Sequence, residues 1–135
     1  MRHYLFLVIV GLLFYSCQEE KPDRTVENLS QNLSSGIWEV SYFDKNGIIQ
    51  TEEFQGISFV FDPSGKSEAF RGTQLLDQGT WQTYVDSGKI NLELSFSFLK
   101  ELNGEWNQDF IRDNQIMVKR DSSSSILVFE KIWGS

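Results

Sequence analysis

Seven carboxylates along the middle of the chain, Glu52, Glu53, Glu68, Asp77, Glu93, Glu101 and Asp109, are its candidates for acid–base chemistry. Two of them at a suitable separation would form the kind of acid/base pair that cleaves glycosides, but spacing along a chain does not set spacing in space. The other groups that catalysis draws on are scarce. The one histidine, His3, lies in a short basic head before an apolar run, and the one cysteine, Cys17, follows that run. With head and run removed on export, no histidine is left, which excludes Ser-His-Asp and Cys-His relays and histidine-ligated metals. No glycine loop of the phosphate-binding type occurs. The pattern therefore predicts a protein that is not an enzyme, with no catalytic residue, no metal and no cofactor, and most of the carboxylates read as solvated strand faces.

The apolar run itself, Tyr4 to Tyr15, has twelve residues. A permanent membrane helix needs about 20, so the run reads as the core of a secretory signal. Phe14-Tyr15-Ser16-Cys17 resembles the lipobox of bacterial lipoproteins, with a small residue directly before the cysteine. The resemblance implies cleavage between Ser16 and Cys17, lipid including palmitate on Cys17, and a membrane partner reached through that lipid. Two other fates stay open, an ordinary secreted chain and a thiol paired across a dimer. Loss of residues 1–16 takes the formal charge from −7 to −8, with eleven basic and nineteen acidic residues over 119 positions. So acidic a chain lacks the clustered Lys and Arg that nucleic acid or an anionic membrane surface requires, and no nucleic-acid partner is expected. Glu19 and Glu20, just behind Cys17, resemble the surface-export signals of some Gram-negative lipoproteins. Outer-leaflet display on the outer membrane and a plain solvated spacer at the periplasmic leaflet stand side by side.

These segments must carry a folded domain. Residues 1–16 read as signal peptide, 17–28 as an acidic tether and 29–135 as the domain. Val26, Leu29 and Leu33 fall at helical spacing, which predicts a short helical turn before the first strand. In Gly36-Ile37-Trp38-Glu39-Val40-Ser41-Tyr42-Phe43 the side chains alternate, placing Trp38, Val40 and Tyr42 on one face. Gly36 precedes that Trp, and Gly79-Thr80-Trp81 and Gly104-Glu105-Trp106 repeat the motif, so all three read as strand starts. Turn chemistry at Asp44-Lys45-Asn46-Gly47, Asp62-Pro63-Ser64-Gly65 and Asp86-Ser87-Gly88 separates further strands over 51–61, 66–71 and 79–85. In Lys66 to Arg71 either Phe70 or the set Ser67, Ala69 and Arg71 points inward. Ile90 to Phe98 alternates without a break, five apolar residues against four polar. Short strands at 106–110, 116–118 and 126–132 complete the series. The expected fold is all-β: an antiparallel up-and-down meander of seven to eight strands, closed into a barrel so that no edge is left bare, behind the N-terminal helical turn.

The Gly36-Ile37-Trp38 start after a helical turn, the successive hairpins, Gly79-Thr80-Trp81 and the closing Leu127-Val128-Phe129-Glu130-Lys131 resemble the lipocalin-like domains of small bacterial lipoproteins. The resemblance covers roughly residues 29–135 and implies a barrel, although members share no one ligand. It also implies a basic residue stacked on the first Trp, and Lys131 and Arg120 are the two candidates. Two functional readings follow. In the first, the barrel holds a small apolar or amphipathic ligand among Trp38, Phe59, Phe61, Trp81 and Phe96, with Arg71 or Tyr84 near its mouth. In the second, these rings fill the core and the protein meets another envelope component through its acidic surface or loops.

Overall fold

A computed structural model of the chain describes residues 26–112 and 114–134. Ser16, Cys17 and the signal and tether residues up to 25 lie outside the described residues. A helix, α1 (Val26–Ser34), comes first and takes in the last three residues assigned to the tether. Nine strands follow: β1 (Gly36–Lys45), β2 (Ile48–Ile49), β3 (Ile57–Phe61), β4 (Lys66–Arg71), β5 (Gln74–Asp86), β6 (Lys89–Phe96), β7 (Gly104–Arg112), β8 (Gln115–Lys119) and β9 (Ile126–Gly134). Every pairing is antiparallel, and from β3 to β9 each strand pairs with the next in sequence. The pairing of β1 with β9, from Gly36↔Gly134 to Asp44↔Ile126, closes the ring. Eight strands form the barrel. The ninth, the two-residue β2, pairs only with the end of β1, beyond the part of that strand that β3 covers.

The expected alternation of β1 is broken by a bulge. Trp38 and Val40 point inward, but the pairing with β9 shifts between Val40 and Tyr42, so the next inward ring is Phe43 and Tyr42 is only half-buried. An extra residue on one strand reverses which side chains face the core beyond it. Residues 51–61 are likewise not one strand. Thr51–Phe54 form a 3-10 turn that buries Phe54, Thr51 Oγ1 accepts a hydrogen bond from Phe43 N (3.0 Å), and Gly56 turns the chain into β3 at φ 79°. In β4 the second alternative holds in part: Ser67 and Ala69 are inside, but Arg71 is exposed. Small residues suit that strand because Ser67 pairs with Phe61 and Ala69 with Phe59, which leaves room for the two rings.

Of the three Gly-x-Trp motifs, Gly36 and Gly104 begin strands, whereas Gly79 lies within β5. There it allows close approach: a Cβ would run into the backbone carbonyl of Ser95 on β6. Gly36 is needed for the same reason, since a Cβ would meet the carbonyl of Trp133. All three indole N–H groups are satisfied by backbone carbonyls, Trp38 by Leu33 (2.9 Å), Trp81 by Asp62 (2.8 Å) and Trp106 by Leu102 (2.8 Å), the Trp81 bond being the one that is part-buried. The helix α1 lies against β3 and β5, burying Leu29 and Leu33 beside Trp38. The 3-10 turns at Thr51–Phe54 and Lys100–Leu102 bury Phe54 and Leu102 near Phe43 and Trp106.

Candidate functional site

The five rings expected to surround a ligand, Trp38, Phe59, Phe61, Trp81 and Phe96, are all in the core and at most 5 % exposed. Four of them belong to one cluster of touching rings, which Phe129 of β9 joins. Phe61 meets Trp81 edge-on at 5.7 Å and Phe129 at 5.5 Å, and Phe59 meets Phe96 at 5.8 Å and Phe129 at 5.7 Å. These are the separations at which aromatic pairs attract one another. The other two candidates lie apart from the cluster. Arg71 is exposed at the end of β4, and Tyr84 is half-buried among polar partners on β5, its hydroxyl donating to Glu105 Oε1 on β7.

Each of two Trp rings carries a cation. Lys131 Nζ lies 5.2 Å from the centroid of Trp38, and the Arg120 guanidinium carbon lies 4.0 Å from that of Trp106. The two basic residues named as alternatives for one Trp therefore serve two. Register explains the first pair, because Trp38 faces Lys131 across the β1–β9 closure. Arg120, just past β8, also donates to the carbonyls of Asn103 and Glu101, so it ties the loop before β7 to the end of β8. Burial pulls its pKa below the ordinary arginine value. A half-buried cation over an indole face is attracted by about 1 kcal/mol.

Of the seven carboxylates, the fold brings two together on the outside. Glu53, on one 3-10 turn, and Glu101, on the other, line an open groove of about 280 Å³ with Phe54, Phe98, Leu99 and Lys100. The Glu101 carboxylate pushes the Glu53 pKa above its ordinary value, burial adds to the shift, and Lys45 opposes it. Lys45 Nζ is 3.9 Å from Glu101 Oε1. Phe98, at 80 % exposure, stands at the rim. Two close carboxylates beside a bare aromatic ring suit the charge and stem of a basic side chain. Sequence spacing hid this pair, because Glu53 and Glu101 are 48 positions apart.

A second open groove, about 430 Å³, is polar and is lined by Asp86, Ser87, Lys89, Asn91, Glu105, Asn107, Asp121 and Ser122. Lys89 Nζ pairs with Asp121 at 2.6 Å across it. Beside it the bond to Glu105 pushes the Tyr84 hydroxyl up to about 12, since ionising it would set two negative oxygens together. From Cys17 onward the only tyrosines are Tyr42 and Tyr84. Absorbance titration should thus show one phenol ionising near 12, and Glu105→Gln should bring that transition down. A transition indifferent to Glu105→Gln would mean that the bond is absent in solution. None of the five core rings lines either groove.

No family model and no curated protein matches the chain. Among solved structures, the chain is similar to a DUF4847 family protein from Bacteroides vulgatus, at 15% identity and a TM-score of 0.55, covering 76% of this chain and 96% of that one. A protein from Burkholderia xenovorans solved by NMR shows 13% identity and a TM-score of 0.46 over 82% of this chain and 91% of its own. At such identity the first likeness speaks for the fold alone.

Proposed function

We propose that the chain is a lipid-anchored lipoprotein of the Gram-negative envelope, held at the outer membrane through Cys17, whose lipocalin-like barrel serves as an interaction module. Its partner is another envelope component that presents a basic segment. One observation carries the choice between the two functional readings: Phe59, Phe61, Trp81, Phe96 and Phe129 pack edge-to-face on one another where a ligand would have to sit. A small apolar ligand would need those rings to part, at the expense of contacts that the close-packed core already makes. The groove by Glu53, Glu101 and Phe98 is the surface best suited to the partner, and the formal charge of −8 beyond Ser16 favours a basic one.

Cys17→Ser should move the protein out of the membrane fraction without changing the denaturant midpoint of the domain. Sedimentation of the variant with membranes after a high-salt wash would overturn the anchor. With the anchor intact, protease treatment of whole cells should remove the domain if Glu19 and Glu20 direct it to the outer leaflet, and protection until lysis assigns it to the periplasmic leaflet. Native mass spectrometry of protein purified from cells discriminates the two roles of the barrel. A mass with no small molecule attached is expected, and a stoichiometric apolar adduct would restore the ligand reading.

A further inference from the structure

We infer that the barrel end where β1 begins and β9 finishes rests on the lipid surface, with Trp133 and Ile132 seated at the boundary between headgroups and acyl chains. The inference rests on the proposed anchor at Cys17 and adds a second, non-covalent contact to it.

Trp133 is 71 % exposed and Ile132 49 %, whereas Trp38, Trp81 and Trp106 are at most 5 % exposed. The two exposed side chains line one open hollow with Ser35 and Gly134, and none of these four residues bears a charge. A bare indole beside an aliphatic side chain is the composition found where proteins meet a bilayer interface, because the ring is apolar while its N–H still reaches water or a headgroup. Nearby, Lys131 Nζ donates to Ser35 Oγ at 3.0 Å.

The connection to the anchor is short. Register sets Trp133 opposite Ile37 and Gly134 opposite Gly36, directly after the end of α1. From that point back to Val26 the helix spans about 13 Å at ~1.5 Å per residue. From Val26 to Cys17 the chain can reach at most about 30 Å at ~3.3–3.6 Å per residue. A lipid on Cys17 thus keeps this end of the barrel within reach of the surface that holds it. The acidic charge of the chain gives no long-range pull toward an anionic membrane, which leaves contact by neutral side chains as the means of docking.

Trp133 supplies the probe. The mature chain from Cys17 is coupled through that cysteine to a maleimide phospholipid and bound to phosphatidylcholine vesicles with brominated acyl chains. Tryptophan emission should shift to the blue and be quenched, and Trp133→Phe should remove the quenched component while the three buried rings keep their emission. Emission unchanged on the vesicles, or quenching that survives Trp133→Phe, would overturn the inference. So would a blue shift that appears without vesicles as concentration rises, since a second copy would then cover the ring. The synthetic lipid separates this test from the anchor itself: the mass of the protein extracted from cell membranes reads natural acylation of Cys17, whatever Trp133 does.

Discussion

Trp38→Ala is expected to lower the stability of the mature chain by about 3–5 kcal/mol, the range for truncating a fully buried Trp to Ala. The ring is wholly buried between the end of α1 and the closure of the barrel. Its loss would leave a cavity under Leu29 and Leu33, strip the Leu33 carbonyl of its donor, and leave Lys131 without the face it lies over. The first two effects loosen α1, and the third falls on the β1–β9 pairing, which alone makes a ring out of the sheet. The loss is a large part of the ~5–15 kcal/mol that holds a typical domain together. Trp38→Phe separates the contributions: it keeps most of the apolar volume but not the indole N–H, and should lose only about 1–3 kcal/mol. Ser95→Ala, an exposed position on β6, should stay within about 0.5 kcal/mol and serves as the control. Urea midpoints at unchanged slope give the comparison. A Trp38→Ala chain that melts with the parent would mean that the barrel end is open in solution.

Most of the eight barrel strands could be read from the chain because two signals agreed at each of them, alternating side chains within and Gly, Asn, Asp or Pro at the ends. A strand's own pattern misleads at the places that a partner decides. Tyr42 was expected inside because alternation was carried past Val40, but the bulge that puts Phe43 there is a property of the β1–β9 register. Alternation carried to Phe98 makes it the fifth apolar residue on one face of its strand, yet β6 ends at Phe96, and among the described residues Phe98 is the most exposed of the large apolar side chains. The cations over Trp38 and Trp106 come from the far end of the chain, 93 and 14 positions away, so no local spacing could assign them. For the candidate groove the carboxylates were visible as residues, while their meeting depended on two 3-10 turns that carry little periodicity.

The same limit hid Asp77, which the sequence presents as one more solvated carboxylate and the fold buries to 4 % exposure. Its carboxylate accepts four backbone N–H groups. Oδ1 takes Gln78 N at 2.8 Å and Ser97 N at 3.2 Å, and Oδ2 takes Phe98 N and Leu99 N, each at 2.8 Å. This ends β6 and turns the chain out toward the second 3-10 turn, which is why Phe98 leaves the inner face. Three consecutive amides that have left the sheet would otherwise lack an acceptor, and one charged group supplies it for all three. Asp77→Ala should therefore cost about 2–4 kcal/mol, somewhat less than the separate bonds would sum to, because Ser97 and Phe98 are exposed and water can reach their amides. Asp77→Asn retains one acceptor oxygen but turns an NH₂ toward donors, and should recover only part of the loss. A core cavity would also lower stability, so the decisive measurement is local. Hydrogen exchange at the amides of Ser97, Phe98 and Leu99 should quicken in Asp77→Ala well beyond what its global stability loss accounts for, while Leu92 and Leu94 exchange only with global unfolding. Glu101 rides on the turn that follows, so the groove it forms with Glu53 should loosen with it, and the Glu53 pKa should fall back toward its ordinary value as its like-charged neighbour moves away. Protection at 97–99 equal to that of the parent would show that the loop is held by something other than Asp77.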